Sequence, residues 1–244
     1  MPELPEVETS RRGIEPHLVG QEIVDVVIRE RRLRWPVSKD VDELLPGQTI
    51  TSVERRAKYL LINTTRGTAI MHLGMSGHVS IVNRDAPAGI HDHVDIGLAS
   101  GHALRLRDPR RFGSLHWSDD PYAHWLLRDL GPEPLGDEFG GDYLWRKSRG
   151  RRVAVKQFIM NANIVVGVGH IFASESLFLA GLNPRRAAGR FALARYEALA
   201  VALREGVQRA IRAGGTTLRD YYGGFGEAGW FQQELDVYGR SDEP

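Results

Sequence analysis

The sequence predicts an α+β protein, with an antiparallel β-sandwich or barrel over about the first 120 residues and a mostly helical remainder. Two observations carry this. Eight short runs rich in Val, Ile and Leu, at residues 20–30, 48–56, 58–65, 68–77, 77–83, 93–100, 102–108 and 113–118, are divided by Gly, Pro and Asn turns and have almost no helix between them. From Pro121 onward the apolar spacing changes to three or four residues.

At the N-terminus, Pro5 is followed by Glu6 and Glu8, with Arg11 and Arg12 ahead of Gly13. That charge order predicts a short helix near Pro5 to Arg12. The segment PYAHWLLRDL, residues 121–130, reads as a short helix, and GPEPLGDEFGG, with four Gly and two Pro, reads as a linker. VAVKQFIMN and HIFASESLFLAG are predicted helices. Tyr196, Leu199, Leu203, Val207 and Ile211 mark a further helix that Gly214 and Gly215 stop. The resulting division is 1–130, a linker at 131–150, a helical domain at 151–229 and a C-terminal stub at 230–244.

No apolar run approaches the roughly 20 residues that span a bilayer, and the start MPELPEVETSRR is too polar for a signal peptide, so a cytoplasmic protein without a membrane partner is expected. Cysteine is absent, which excludes disulfides, thiol nucleophiles and every cysteine-containing zinc site within this chain. The 32 Lys and Arg nearly cancel the 31 Asp and Glu, so local clusters must reveal any polyanionic partner. Such clusters occur at Arg29, Arg31, Arg32 and Arg34, at Arg55, Arg56 and Lys58, and at Arg146, Lys147, Arg149, Arg151 and Arg152. They fit either a groove lined on one side or separate solvated surfaces.

Removal of the initiator Met would leave Pro2 as a secondary amine able to attack an aldehyde-like carbon, with Glu3 beside it as an acid or base. By spacing alone the same two residues also fit a plain helix opening. Gly167 and Gly169 precede a helix and suit an anion or an ordinary helix connection. HLGMSG and DPRRFG read as loops after strands that present Met75 and Arg110, Arg111 and Phe112, as an apolar wedge with guanidinium groups or as core. His72, His91, Asp92 and His93 lack a metal-binding spacing. HDH on a strand puts His91 and His93 on one face with Asp92 opposite, favouring a phosphate or structural role.

PELPEVET, RRAKYLL, HLGMSG, DPRRFG, VVGVGHIFASESLF, GGTTLRD and GWFQQELDVYGR, in this order and over nearly the whole chain, together resemble the formamidopyrimidine-DNA glycosylase family. The resemblance implies an N-terminal antiparallel β-sandwich with flanking helices and a helical helix-two-turn-helix domain, with an active site in the cleft between them. It implies a monomer acting on double-stranded DNA containing oxidised purines, 8-oxoguanine and formamidopyrimidines. The implied activities are base excision and abasic-site lyase chemistry by β,δ-elimination, with no metal or redox cofactor.

By the same resemblance, Pro2 is the iminium-forming nucleophile, Glu3 protonates the sugar ring oxygen, and Lys58 contacts phosphate or sugar near the lesion. Met75, Arg110 and Phe112 fill the gap left by the everted nucleotide, Arg110 facing the estranged base. His91, Arg110, Arg111, Lys156 and His170 contact DNA. Glu175 lines the lesion pocket, together with Thr216, Thr217, Tyr221 and Tyr222 of the loop over the extruded base. Leu4, where the endonuclease VIII branch has Gly, points to purine lesions.

Two departures stand out. His170 replaces the Asn usual at that helix start, and a cysteine zinc finger bearing a further DNA-binding Arg is expected after GRSDEP but absent. Intact Pro2, Glu3 and Lys58 favour an active glycosylase. The missing finger leaves a catalytically impaired DNA-binding homologue as the alternative, and an oxidised-pyrimidine glycosylase as another.

Overall fold

The computed structural model of the protein describes residues 2–215 and 235–240. These pack as two units, residues 2 and 6–128 in one and residues 3–5, 129–215 and 235–240 in the other. No described helix is long and apolar enough to cross a membrane.

Helix α1 (Leu4–Leu18) continues through Gly13 and Pro16, beyond the Arg12 at which the charge pattern ends it. Val7, Ile14 and Leu18 are wholly buried in the core of the first unit. Burying such side chains is worth about 1.5–3 kcal/mol each, against about 1 kcal/mol for a mid-helix glycine, so packing overrides the local stop signal. Glu8 accepts hydrogen bonds from Arg11, Arg12 and Arg55, fastening this helix to the second strand.

All eight predicted strands form: β1 (Ile23–Ile28), β2 (Ile50–Arg56), β3 (Tyr59–Thr64), β4 (Thr68–His72), β5 (His78–Asn83), β6 (Asp92–Leu98), β7 (His102–Arg107) and β8 (Ser114–Ser118). They make two four-stranded antiparallel sheets, ordered β1-β6-β7-β5 and β2-β3-β4-β8, which is a sandwich and not a barrel. Val94, Ile96 and Leu98 with Leu104 and Leu106 enter the shared core from one sheet. Leu60 and Ile62, Ala69 and Met71, and Leu115 and Trp117 enter it from the other. The spacing of two within each strand is the pleat expressed in sequence.

Strand β6 is buried along its whole length. On it, Asp95 pairs with Arg105 at 2.8 Å, and the same guanidinium donates to the carbonyls of Ala86 and Pro87, holding the preceding loop across this region. A register shift between Asp92 and Val94 breaks the alternation expected of HDH. His91 lies outside the strand, while Asp92 and His93 are both buried, so the predicted arrangement with Asp92 opposite two histidines does not occur.

Two local readings also change. Helix α2 (Lys39–Leu44) interrupts the strands, started by Ser38, whose hydroxyl accepts from the Asp40 N–H. Residues 121–130 form successive turns in place of the predicted helix, with the Asp120 carboxylate accepting from the N–H groups of Tyr122 and Ala123. Trp125 packs edge-on to Trp35 at 5.3 Å and beside His116 and His124, so aromatic contacts set this segment.

The second unit is helical: α3 (Gly141–Ser148), α4 (Val155–Met160), α5 (His170–Leu179), a single 3₁₀ turn at Ala188–Arg190, and α6 (Leu193–Arg212). Helix α3 falls inside 131–150, the stretch read as a linker. Its Gly141 meets α6 so closely that a Cβ would lie 2.5 Å from Glu197 Cα, so the glycine that reads as a loop residue permits helix contact. Gly214 and Gly215, at φ 78° and 88°, follow α6 in left-handed conformation.

Tyr196 on α6 is wholly buried and donates to the Ala188 carbonyl at 2.9 Å. Tyr196→Phe keeps the ring but leaves that carbonyl without this donor, so a stability loss of about 1–2 kcal/mol is expected. Urea unfolding checks it, and an unchanged midpoint would show that water satisfies the carbonyl instead.

Candidate nucleic-acid interface

In the second unit, Glu3 is buried at 2% exposure. Its carboxylate accepts from the backbone N–H groups of Gly169 at 2.7 Å, Ile171 at 3.0 Å and Phe172 at 3.4 Å. These are unpaired donors of the α5 N-terminus, so the helix end stabilises the anionic carboxylate. Two glycines make the approach possible. Gly167 takes φ 78°, with its carbonyl accepting from Leu4 N–H, and a Cβ on Gly169 would lie 2.4 Å from Glu3 Cδ. The anion at this turn is a carboxylate of the chain itself. Pro2 is buried and precedes this carboxylate by one residue.

In the first unit, β4 leads to β5 and β7 leads to β8, and each connection crosses from one sheet to the other. His72 at the end of β4 pairs with Ser114, and His78 at the start of β5 pairs with Arg107. The loops 73–77 and 108–113 are therefore pinned side by side. They touch through backbone, since a Cβ on Gly74 would lie 2.4 Å from the Phe112 carbonyl carbon. Together they line a cleft of about 690 Å³ with Arg32, Leu33, Arg34, His72, Met75, Arg110, Arg111 and Phe112. Met75 and Phe112 are each 40% exposed, and the Arg110 guanidinium lies 5.1 Å from the centre of the Phe112 ring. Arg111 holds φ 56°, a conformation uncommon outside glycine.

His72 is a site residue that motif reading undervalued. Its ring packs at a tilt against Tyr59, centroids 4.8 Å apart, and its Nδ1 accepts from the Gly74 N–H at 2.9 Å, so the neutral ring carries its proton on Nε2. Burial, then the charge of Lys58 and then that of Arg34, push its pKa down to about 4. Lys58 occupies the two-residue turn between β2 and β3, beside Ala57 at φ 56°.

A neighbouring cleft of about 530 Å³ is lined by Arg29, Glu30, His91, Asp92, His93, Pro109 and Arg111. Glu30 accepts from both Arg32 and Arg111, and its carboxyl is held down to about 2, chiefly by the Arg32 side chain. In the second unit, Lys156 and His170 line a cleft of about 670 Å³ with Gln157, Asn161 and Arg185, and Lys156 Nζ donates to Ser174 Oγ at 2.9 Å. Glu175 on α5 accepts from the backbone N–H groups of Asp236, Val237 and Tyr238, so both its oxygens anchor the segment 235–240. The pocket residues Thr216, Thr217, Tyr221 and Tyr222 lie outside the described residues.

Five arginines of the sequence clusters pair with carboxylates within the fold. Arg29 pairs with Asp95, Arg31 with Asp42, Arg32 with Glu30, Arg55 with Glu8 and Arg146 with Asp142. Among the described residues no group of three His, Asp or Glu is placed to hold a metal ion.

Cationic clefts in both units, with an exposed Met and Phe beside guanidinium groups in one of them, define a nucleic-acid-binding protein. Residues 1–115 match the formamidopyrimidine-DNA glycosylase N-terminal domain and residues 130–221 the H2TH domain of the same proteins. The chain is 61% identical over 243 residues to a formamidopyrimidine-DNA glycosylase of Stutzerimonas stutzeri (strain A1501), covering 100% of this chain and 90% of that protein. One of Pseudomonas entomophila (strain L48) is 60% identical over 244 residues, with the same coverage. A crystal structure of the Lactococcus lactis FPG mutant G226P with a Fapy-dG containing DNA superposes with a TM-score of 0.91 at 32% identity, over 99% of this chain and 90% of that one. MutM in complex with carbocyclic 8-oxo-G containing DNA superposes at 0.90 and 31% identity. The chain belongs to the formamidopyrimidine-DNA glycosylase family, a family of glycosylase and abasic-site lyase enzymes.

The folded His72 imidazole binds its proton only near pH 4, whereas the ordinary value is 6.5. Between these values the unfolded chain holds more protons, so this residue's contribution to stability falls as pH drops from about 6.5 to about 4. Imidazole NMR should give His72 a midpoint near 4, and a midpoint near 6.5 would show the ring to be solvated.

Proposed function

We propose that this protein excises oxidised purines, 8-oxoguanine and formamidopyrimidines, from double-stranded DNA and cleaves the resulting abasic site, with Pro2 as nucleophile. The observation that carries the reading is the Glu3 carboxylate held by three backbone N–H groups directly after Pro2. The likeness to proteins crystallised with Fapy-dG and 8-oxo-G DNA supports the substrate class.

After removal of Met1, the Pro2 amine attacks the deoxyribose C1′ and the base leaves with the glycosidic electron pair. The Pro2 nitrogen gives its proton to the Glu3 carboxylate, which passes it to the ring oxygen as the C1′–O4′ bond opens and the iminium forms. The iminium acidifies the C2′ proton, whose loss expels the 3′ phosphate. Loss of the C4′ proton then expels the 5′ phosphate, and water hydrolyses the iminium to free Pro2. The iminium is the electron sink, so the proposed steps call for no redox or metal cofactor.

In this reading Lys58 and the neutral His72 Nε2–H face phosphate or sugar beside the lesion, while Met75, Arg110 and Phe112 fill the gap in the stack. His91, Arg111, Lys156 and His170 contact backbone phosphates. Glu175 acts through the segment it anchors. The protein works as a cytoplasmic monomer on bacterial DNA, in keeping with its bacterial relatives.

Borohydride reduction during reaction with an 8-oxoguanine duplex should trap a covalent adduct that maps to Pro2. An adduct on Lys58 would remove Pro2 from the chemistry.

Glu3→Gln keeps the size of the side chain but cannot relay a proton, so base excision should fall by about 100-fold or more. Cleavage of a preformed abasic site should fall less, since its sugar already reaches the ring-opened aldehyde without the enzyme. Single-turnover rates on the two duplexes check this, and equal losses would contradict a role in opening the sugar ring.

A further inference from the structure

Asp108 has no solvent exposure and sits where the two sheet-to-sheet loops meet. Its Oδ1 accepts from Ser76 Oγ at 3.0 Å and its Oδ2 from the Gly113 N–H at 2.7 Å. Its carbonyl accepts from His93 Nε2 at 2.8 Å and from the Arg111 N–H at 3.1 Å, and its own N–H donates to the His91 carbonyl at 3.0 Å. Ser76 Oγ in turn accepts from the Arg110 N–H at 3.2 Å.

Every wedge residue is therefore bonded to this pair directly or lies one position from a residue that is. Met75 precedes Ser76, Arg110 bonds Ser76 through its own N–H, and Phe112 lies between Arg111 and Gly113, which both bond Asp108. A carboxylate accepting at both oxygens in a dry site fixes direction more firmly than a neutral group would. The left-handed Arg111 is kept in place by the same bonds.

We infer that Asp108 and Ser76 are positioning residues that join the two loops into one platform and so set how Met75, Arg110 and Phe112 enter a DNA stack. The inference rests on the base-excision reading of this cleft. Asp108 itself touches no substrate, since it is enclosed by protein. Its effect is on opening the duplex and not on the bond-breaking steps.

The test uses the full chain at saturating protein, with 2-aminopurine placed beside an 8-oxoguanine to report unstacking, and a single-stranded abasic oligonucleotide that needs no wedge. Ser76→Ala removes a buried hydrogen bond and should slow both the fluorescence rise and duplex excision by about tenfold. Cleavage of the single-stranded abasic substrate should stay within about twofold. Ser76→Thr retains the hydroxyl and should restore the duplex rates. Asp108→Asn cannot accept at both positions and should show a larger loss of the same kind. If that variant fails to fold, the serine pair alone decides. An unchanged unstacking rate in Ser76→Ala, an equal loss on the single-stranded substrate, or no rescue by Thr would each overturn the inference. Wild-type protein that opens the duplex without excising a base would sink the excision reading, and the serine variants' fluorescence would still decide the inference. Wild-type protein that never unstacks the probe would overturn the platform.

Discussion

The Glu3 carboxylate at the start of α5 is the interaction on which the proposed active site depends. A residue near the beginning of the chain closes the N-terminus of a helix about 165 positions later, satisfying donors that would otherwise need water. The contact needs a backbone without side chains, which Gly167 and Gly169 provide. A side chain held by three hydrogen bonds has little rotational freedom left, which suits the proton relay proposed for it.

Charge is handled differently in the two places where it accumulates. Several arginines of the sequence clusters, Arg29 and Arg55 among them, are paired with carboxylates and so serve as fasteners within the fold. Arg34 and Arg110 instead lie near aromatic rings and line the cleft of about 690 Å³. Glu30 bridges Arg32 and Arg111 in the same neighbourhood and occupies them with a carboxylate where a phosphate would bring the same charge. Net charge carries little information about such a surface, because its positive character is local.

The sandwich supplies the second element of the design. Antiparallel pairing of β4 with β8 and of β5 with β7 brings the two crossovers together at one end, and the buried Asp108 fills the space between them. Rigid sheets hold both ends of each loop, so the exposed Met75 and Phe112 are carried on short, braced segments.

The sequence by itself determined the eight strands, the change to helical spacing, the family motifs and the absence of cysteine, because period, turn residues and composition are local properties. It also held the start of α2 in Ser38 and Asp40, a local capping signal set between strand runs. Tertiary structure alone decided the rest. Helix α1 crosses Gly13 and Pro16 because Ile14 and Leu18 have a core to enter. Residues 121–130 turn instead of coiling because Trp125 finds Trp35. HDH loses its alternation to a register shift against β7. Glu175 and Glu3 bond to backbone that lies 61 or more residues away along the chain. No spacing rule reaches that far, because such partners are selected by the packing that brings the chain back on itself.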